Sequence, residues 1–148
     1  MSYQEKKSIV SLISTLLINA LYFSYVFKWD QQARFGSPDE FKFWGAVLLT
    51  LIVVSIVARI IIFIVFAIIN TIATREEMPK IEDELDKLIE LKSTRNSMVI
   101  FGIGFVSALI TLVLDMPPTN MFVVMVFAGI LSEVTSSLSS LYYYRRGV

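Results

Sequence analysis

The sequence predicts an all-α, polytopic membrane protein, built as an antiparallel bundle of four transmembrane helices with a cytoplasmic amphipathic helix between spans 2 and 3. Of the 148 residues, 55% are hydrophobic and only 18% are charged, a composition too apolar for a soluble domain of this size. Four apolar segments approach or exceed the roughly 20 residues that cross a hydrocarbon core. The Lys and Arg residues are also distributed unevenly between the connections on the two sides, as in membrane proteins.

The predicted spans belong to a single integral membrane domain, residues 1–148. Their expected bounds are 8–27, 43–72, 98–114 and 120–144. The "SPDE" motif, residues 37–40, is a capping box that starts the second helix outside the membrane. Pro117 and Pro118 leave only a very short turn between the last two spans, which therefore form a tight hairpin.

The orientation follows from the basic residues. With Arg59 left aside, nine Lys and Arg flank the termini and the middle connection, whereas three, Lys28, Arg34 and Lys42, lie on the other side. Basic residues are retained on the cytoplasmic side of a membrane. Both termini and the connection between spans 2 and 3 are therefore expected in the cytoplasm.

Two opposite charges lie deep inside apolar runs. Arg59 follows Phe43 by sixteen residues, roughly 24 Å along a helix, and Glu133 follows Asn120 by thirteen residues, roughly 20 Å. On antiparallel neighbours these depths nearly coincide, so we predict an intramembrane Arg59–Glu133 salt bridge. Two interpretations stay open: the pair fixes which helix faces which, or it forms an ion, proton or ligand site.

Polar and small residues at helical spacing suggest what surrounds this pair. Ser55 lies one turn from Arg59, and Asn19 on the first helix is expected as a third member of the buried network. The fourth helix carries small residues at every fourth position, a pattern that lets helices approach closely. These are Ala128, Ser132, Ser136 and Ser140, and the third span offers the small residues Gly104 and Ala108.

The segment between spans 2 and 3 is predicted to form an amphipathic helix over about 79–95. Pro79 can start it, and an apolar stripe follows at helical spacing. Its stripe residues are Ile81, Leu85, Leu88 and Ile89. The opposite face is acidic, which makes the helix a poor ligand for the anionic inner leaflet. It is expected either to cover the inner mouth of the bundle or to bind another protein. Its carboxylates spread around the helix, so no metal site is predicted.

Three short motifs resemble a family of small, uncharacterised four-span bacterial membrane proteins. They are "MSYQEKK" at the start, "DELDKLIELKSTRN" from Asp83, and "YYYRRGV" at the end. The resemblance implies the bacterial inner membrane and a small cytoplasmic regulator as partner. It makes Asp83, Glu84 and Asp86 candidates for contacting that partner, together with Leu85 and Ile89 of the apolar stripe.

The composition of the chain limits its function mainly by excluding classes of chemistry. The chain contains no His and no Cys, so imidazole acid–base catalysis and thiolate nucleophiles are excluded, and no catalytic residue or cofactor is predicted. A formal charge of zero argues against nucleic-acid binding. The expected function is non-enzymatic, regulatory or protein-interacting; the alternative is a small proton- or ion-coupled transporter that uses Glu133. Besides the lipid bilayer and the regulator, the sequence leaves open a second copy of the chain as partner.

Overall fold

The computed structural model describes residues 2–29, 39–74 and 83–147, and all regular structure within them is α-helical. The four helices are α1 (Tyr3–Trp29), α2 (Glu40–Thr74), α3 (Glu84–Val113) and α4 (Pro118–Arg146). Each is long and apolar enough to cross a membrane. The α-helical class and the four apolar helices of the sequence analysis are therefore confirmed.

The helices are longer than the predicted spans because polar flanking residues continue them. α3 is the clearest case, since the sequence predicts two helices, 79–95 and 98–114, where the structure has one, Glu84–Val113. The intervening stretch contains neither Gly nor Pro, so nothing interrupts the backbone hydrogen bonding. Residues 79–82 lie outside the described part of the chain.

The start of α3 is capped by its own carboxylates. Asp83 Oδ1 accepts from the backbone N–H of Glu84 at 2.8 Å, and Asp86 Oδ2 accepts from the backbone N–H of Asp83 at 3.3 Å. This is a capping box, which satisfies N–H groups that have no partner within the helix. At the other end, Asp115 adopts a left-handed conformation with φ of 52°, and α4 begins at Pro118 after a four-residue turn.

The predicted capping box of the second helix, residues 37–40, lies only partly within the described residues. Ser37 and Pro38 lie outside the described residues. Glu40, the first residue of α2, is buried, and its Oε1 accepts from the backbone N–H of Thr119 at 3.0 Å and from the Thr119 hydroxyl. Glu40 therefore caps the first turn of α4, which has no side-chain cap of its own.

α4 lies at the centre of the bundle, because its backbone packs against each of the other three helices. Among the described helices, α3 has close backbone contacts with α4 alone. The residue numbers of the contacts increase along α3 while those of their partners on α4 decrease. Ser93 contacts Ser140, and Gly104 lies against Ala128. A Cβ added at Gly104 would lie 3.1 Å from Ala128 Cα. The glycine therefore sets the close approach of the two helices.

The distribution of side chains is that of a membrane protein. Among the described residues, six polar or charged side chains are buried, five of them hydroxyl-bearing, beside only six buried hydrophobic ones. Large apolar side chains are exposed along all four helices, and most of them lie on α2 and α3. Small polar interiors with apolar exteriors are what a bilayer favours, because lipid solvates the outside while helices associate through close packing and hydrogen bonds.

Candidate functional site

The site is an ion pair that joins three helices. Arg59 Nη2 on α2 donates to Glu133 Oε2 on α4. The same nitrogen donates to the hydroxyl of Thr15 on α1 at 3.2 Å. Thr15 is 1% exposed. Arg59 therefore connects α2 to both of the helices with which α2 packs.

The hydrogen-bonding capacity of the guanidinium is only partly used. Arg59 Nε is the single buried side-chain nitrogen or oxygen within the described residues that has no hydrogen-bond partner. The side chains of Arg59 and Glu133 are 31% and 42% exposed. The pair thus lies at the wall of an open space rather than in a closed core.

The other two predicted members of the polar network lie beside the pair without bonding to it. Asn19 Nδ2 donates to the backbone oxygen of Thr15 at 2.8 Å, so its amide serves its own helix. Ser55 lines the same cavity as Asn19, Arg59 and Glu133. The hydroxyl that accepts from Arg59 belongs instead to Thr15, one turn earlier than Asn19 on the same face of α1.

One cavity, here called the central cavity, has Arg59 and Glu133 in its wall and a volume of about 410 Å³. Asn19 and Ser55 add two further polar groups. The rest of the lining is apolar and comes mainly from α2 and α4, with Phe101 from α3. A few polar groups converging in an apolar cavity are typical of ligand sites.

A second cavity, here called the serine cavity, has a volume of about 240 Å³ and lies at the end of the bundle where α1 and α3 begin. Lys7, Asp86 and Glu90 contribute its charges. The hydroxyl residues in its wall are Ser8, Ser11, Ser93, Ser136, Ser137, Ser140 and Tyr144. Several of them bond to one another, as Ser137 does to Ser11 at 3.2 Å. This cavity is polar where the central cavity is largely apolar.

The ion pair separates the two cavities. Ser11, Phe63 and Ser137 line the serine cavity. Each lies four residues, about one helical turn, from Thr15, Arg59 and Glu133 respectively. Arg59 and Glu133 in turn line the central cavity. The Thr15–Arg59–Glu133 layer thus lies between a polar space and an apolar one.

The five predicted partner-binding residues divide into two groups. Ile89 is buried, and Asp86 accepts from Tyr144 OH at 2.9 Å and from Gln4 Nε2 at 3.3 Å. Asp86 thus joins α3 to α1 and α4. Glu84 and Leu85 are exposed, and Asp83 is exposed while it caps α3.

The serine cavity is the feature that sequence reasoning missed. The helical spacing of Ser8, Ser11 and Thr15 on α1, and of Ser136 and Ser140 on α4, indicates two polar faces. That Ser93 of α3 joins them could not be read from spacing, because it depends on α3 continuing unbroken through residues 95–98.

Within the described residues, no three His, Cys, Asp or Glu side chains are grouped so that they could hold a metal ion. The charged groups of Arg59 and Glu133 offer hydrogen bonds to a ligand in the central cavity. Comparison with protein-family models, with curated proteins and with solved structures finds no match to this chain.

Proposed function

We propose that the chain is a non-enzymatic, integral protein of the bacterial inner membrane that regulates a cytoplasmic protein by binding it. In this arrangement the four helices form an antiparallel transmembrane bundle with both termini in the cytoplasm. The excess of basic residues around the termini and the middle connection supports this orientation. The first turns of α3 then project from the membrane on the cytoplasmic side.

The observation that carries the proposal is the exposed apolar surface at this end of α3. Leu85, Leu88 and Leu91 are 49%, 43% and 69% exposed, and they lie among charged residues such as Glu84 and Lys87. Leucines on a segment too charged to lie in hydrocarbon gain free energy when a partner covers them. Asp86 and Ile89 fix this part of α3 to the bundle, so the surface is held in place before binding.

The test is affinity purification of the tagged full chain from mildly solubilised native membranes. A stoichiometric cytoplasmic protein is expected with the wild type and is lost with Leu85→Glu and Leu88→Glu. Ser2→Glu is the control, since it adds the same charge to an exposed position at the same end of the bundle but outside α3. Recovery of no stoichiometric partner, or equal loss with all three variants, contradicts the proposal.

A second candidate function, a proton- or ion-coupled transporter that uses Glu133, is favoured by the two cavities. The serine cavity gives a polar approach to within one turn of Glu133, and the central cavity meets the same carboxylate from the other side. An ionisable group reached from two sides is a feature of coupled transport.

This candidate is tested with purified protein by following proton release when tetraphenylphosphonium, a lipophilic cation, is added. Release that Glu133→Gln abolishes supports transport chemistry at this residue. Asp39→Asn is the control, because that carboxylate is 58% exposed and pairs only with Lys42 among the described residues. Absence of release from the wild type argues against the transporter.

A further inference from the structure

Two tyrosines near the end of α4 each hold a basic side chain against their ring. Lys92 Nζ on α3 lies 5.8 Å from the centroid of the Tyr143 ring, and Arg146 Cζ lies 5.5 Å from that of Tyr142. The two rings meet edge to face with centroids 5.7 Å apart. Because a cation is attracted to the face of an aromatic ring, the two basic groups are drawn to one surface that spans α3 and α4.

The contact between α3 and α4 holds this surface in place. Asn96 Nδ2 donates to Ser139 Oγ at 3.2 Å and to Tyr143 OH at 3.3 Å, which fixes the ring beneath Lys92. Arg95 is exposed and follows Lys92 by three residues, so the two are neighbours on the helix surface. The surface is here called the basic patch, and it consists of Lys92, Arg95, Tyr142, Tyr143 and Arg146.

The positive charge of the basic patch is not neutralised by the protein. Within residues 2–29, 39–74 and 83–147 both salt bridges lie elsewhere. Of the three acidic residues of α3, Asp86 and Glu90 line the serine cavity, towards α1. Glu84 precedes Lys92 by eight residues, roughly 12 Å along the helix. The acidic character of the start of α3 therefore does not reach the patch, which attracts an anion.

The basic patch lies at the depth of lipid headgroups when α3 spans a bilayer. Arg95 precedes Met98, the first residue of the apolar run, by three residues, or about 4.5 Å. The headgroup layer on each side of the hydrocarbon core is roughly 5–7 Å thick. Lys and Arg side chains extend along such a layer while their charges stay in it. The anion within reach of the patch is therefore a lipid phosphate.

An exposed apolar strip continues from the patch along the same face of α3. Val99, Ile103 and Val106, here called the apolar strip, follow Lys92 at spacings of three, four and seven residues, which keep them on one face. They are 58%, 61% and 56% exposed. Among the described helices α3 has close backbone contacts with α4 alone, so none of the others packs over this strip. Basic groups next to uncovered hydrocarbon match a phospholipid, whose acyl chain begins where its charged headgroup ends.

We propose that the basic patch binds the headgroup of an anionic phospholipid, while an acyl chain of the same lipid packs along the apolar strip. A zwitterionic lipid fits less well, because its own cation is repelled by the patch. An acidic protein segment matches the charge but leaves the strip uncovered. The proposal goes beyond the proposed function and does not depend on the cytoplasmic partner.

The experiment uses the purified, delipidated full chain in dodecyl maltoside. It is titrated with dioleoyl phosphatidylglycerol or with dioleoyl phosphatidylcholine, which share their acyl chains and differ in net charge, and bound lipids are counted by native mass spectrometry. The first phosphatidylglycerol is expected to bind about tenfold or more tightly than the first phosphatidylcholine, since each basic residue near a headgroup contributes roughly fivefold. Equal affinities overturn the proposal.

Two sets of variants test the location of the headgroup. Lys92→Gln with Arg95→Gln is expected to lower the advantage of phosphatidylglycerol by about tenfold or more, and Arg146→Gln by about fivefold. Lys6→Gln with Lys7→Gln is the control for the first, and Lys7→Gln alone for the second, because they remove the same charge from α1 at the same end of the bundle. If the controls lower the advantage as much as the patch variants do, the total charge of this end attracts the lipid and the proposal is overturned.

A phosphatidylglycerol with a diazirine in one acyl chain tests the apolar strip. It is irradiated at one lipid per protein, and labelled residues are identified by fragmentation of the peptides. Labelling is expected at Val99, Ile103 and Val106. Ile61 of α2 is the matched reference, because it is as exposed as Val106, at 56%. Labelling of Ile61 to the same extent means that the chain is not held on α3 and overturns the proposal.

Discussion

The Glu40 carboxyl group lies against Thr119, so the first residue of α2 closes the first turn of α4. Glu40 Oε1 accepts from the Thr119 backbone N–H at 3.0 Å and from its hydroxyl, and Trp44 Nε1 donates to that hydroxyl at 3.1 Å. Trp44 in turn stacks on Phe122 with ring centroids 5.7 Å apart. A carboxylate is favoured at a helix N-terminus by the unpaired N–H groups and by the helix dipole.

Replacing Glu40 is expected to destabilise the bundle. Glu40→Ala leaves the half-buried Thr119 N–H without an acceptor, at a cost of about 2 kcal/mol. Glu40→Gln keeps an acceptor but loses the charge, at a cost of about 1 kcal/mol. Thermal unfolding in mild detergent measures both. Asp39→Asn serves as the control, since its exposed ion pair with Lys42 contributes less than about 0.5 kcal/mol; an equal loss from this variant would show that position 40 is not special.

Arg59 and Glu133 permit a charge exchange that keeps two opposite charges on the same pair of helices. Arg59→Gln and Glu133→Gln each leave an unpaired charge among apolar side chains, and each is expected to cost about 3 kcal/mol. The double change R59E/E133R restores the opposite charges. It also suits Thr15, because a hydroxyl that accepts from Arg59 in the wild type can donate to a carboxylate instead.

These variants are compared by their accumulation in membranes and by their thermal unfolding in detergent. Recovery of most of the lost stability in the exchanged pair is expected if the ion pair fixes the packing of α2 on α4. If the single variants unfold at the wild-type temperature, the pair does not hold the bundle together.

The sequence predicts the meeting of Arg59 and Glu133 because deep charges are rare and two of opposite sign at similar depth leave little choice of partner. Glu40 is a different case. A carboxylate three residues after a serine matches the local capping box, but spacing cannot show that this carboxylate reaches a helix start 79 residues later. The local motif therefore identified Glu40 but not its bond to Thr119.

The spacing of polar residues also cannot show which residue of α1, Thr15 or Asn19, bonds to Arg59. Both lie on the polar face of α1, one turn or about 5.4 Å apart, and the difference depends on the relative height of α1 and α2. The amide of Asn19 instead bonds to the Thr15 backbone oxygen, a local alternative open to polar side chains in helices.

A double-mutant cycle separates the two residues. Thr15→Val preserves the shape of the side chain and removes the hydroxyl that Arg59 uses, and we expect it to cost about 1 kcal/mol. Because that contact is already lost in Arg59→Gln, the two changes should be non-additive by about 1 kcal/mol. Asn19→Ala combined with Arg59→Gln should be additive. The cycle is measured as free energies of unfolding in detergent. If Asn19→Ala, and not Thr15→Val, is non-additive with Arg59→Gln, the contact between Arg59 and Thr15 is refuted.

Gly104 and Gly102 form a matched pair for the α3–α4 interface, since they lie two residues apart on α3. A Cβ at Gly104 collides with Ala128, whereas a Cβ at Gly102 meets nothing within 4 Å. Gly104→Val is therefore expected to force the helices apart and to cost about 2 kcal/mol or more, as overpacking does. Gly102→Val should change stability by less than about 1 kcal/mol.

The steric clash at Gly104 also predicts a compensating substitution. Ala128→Gly removes the methyl group that the new side chain meets, so G104A with A128G should unfold closer to the wild-type temperature than Gly104→Ala alone. The approach of Gly104 to Ala128 is part of the α3–α4 contact that aligns Ser93 with Ser140 at 2.9 Å. If Gly104→Val and Gly102→Val unfold at the same temperature, the two helices are not in close contact at this point and the serine cavity loses the packing that shapes its α3 wall.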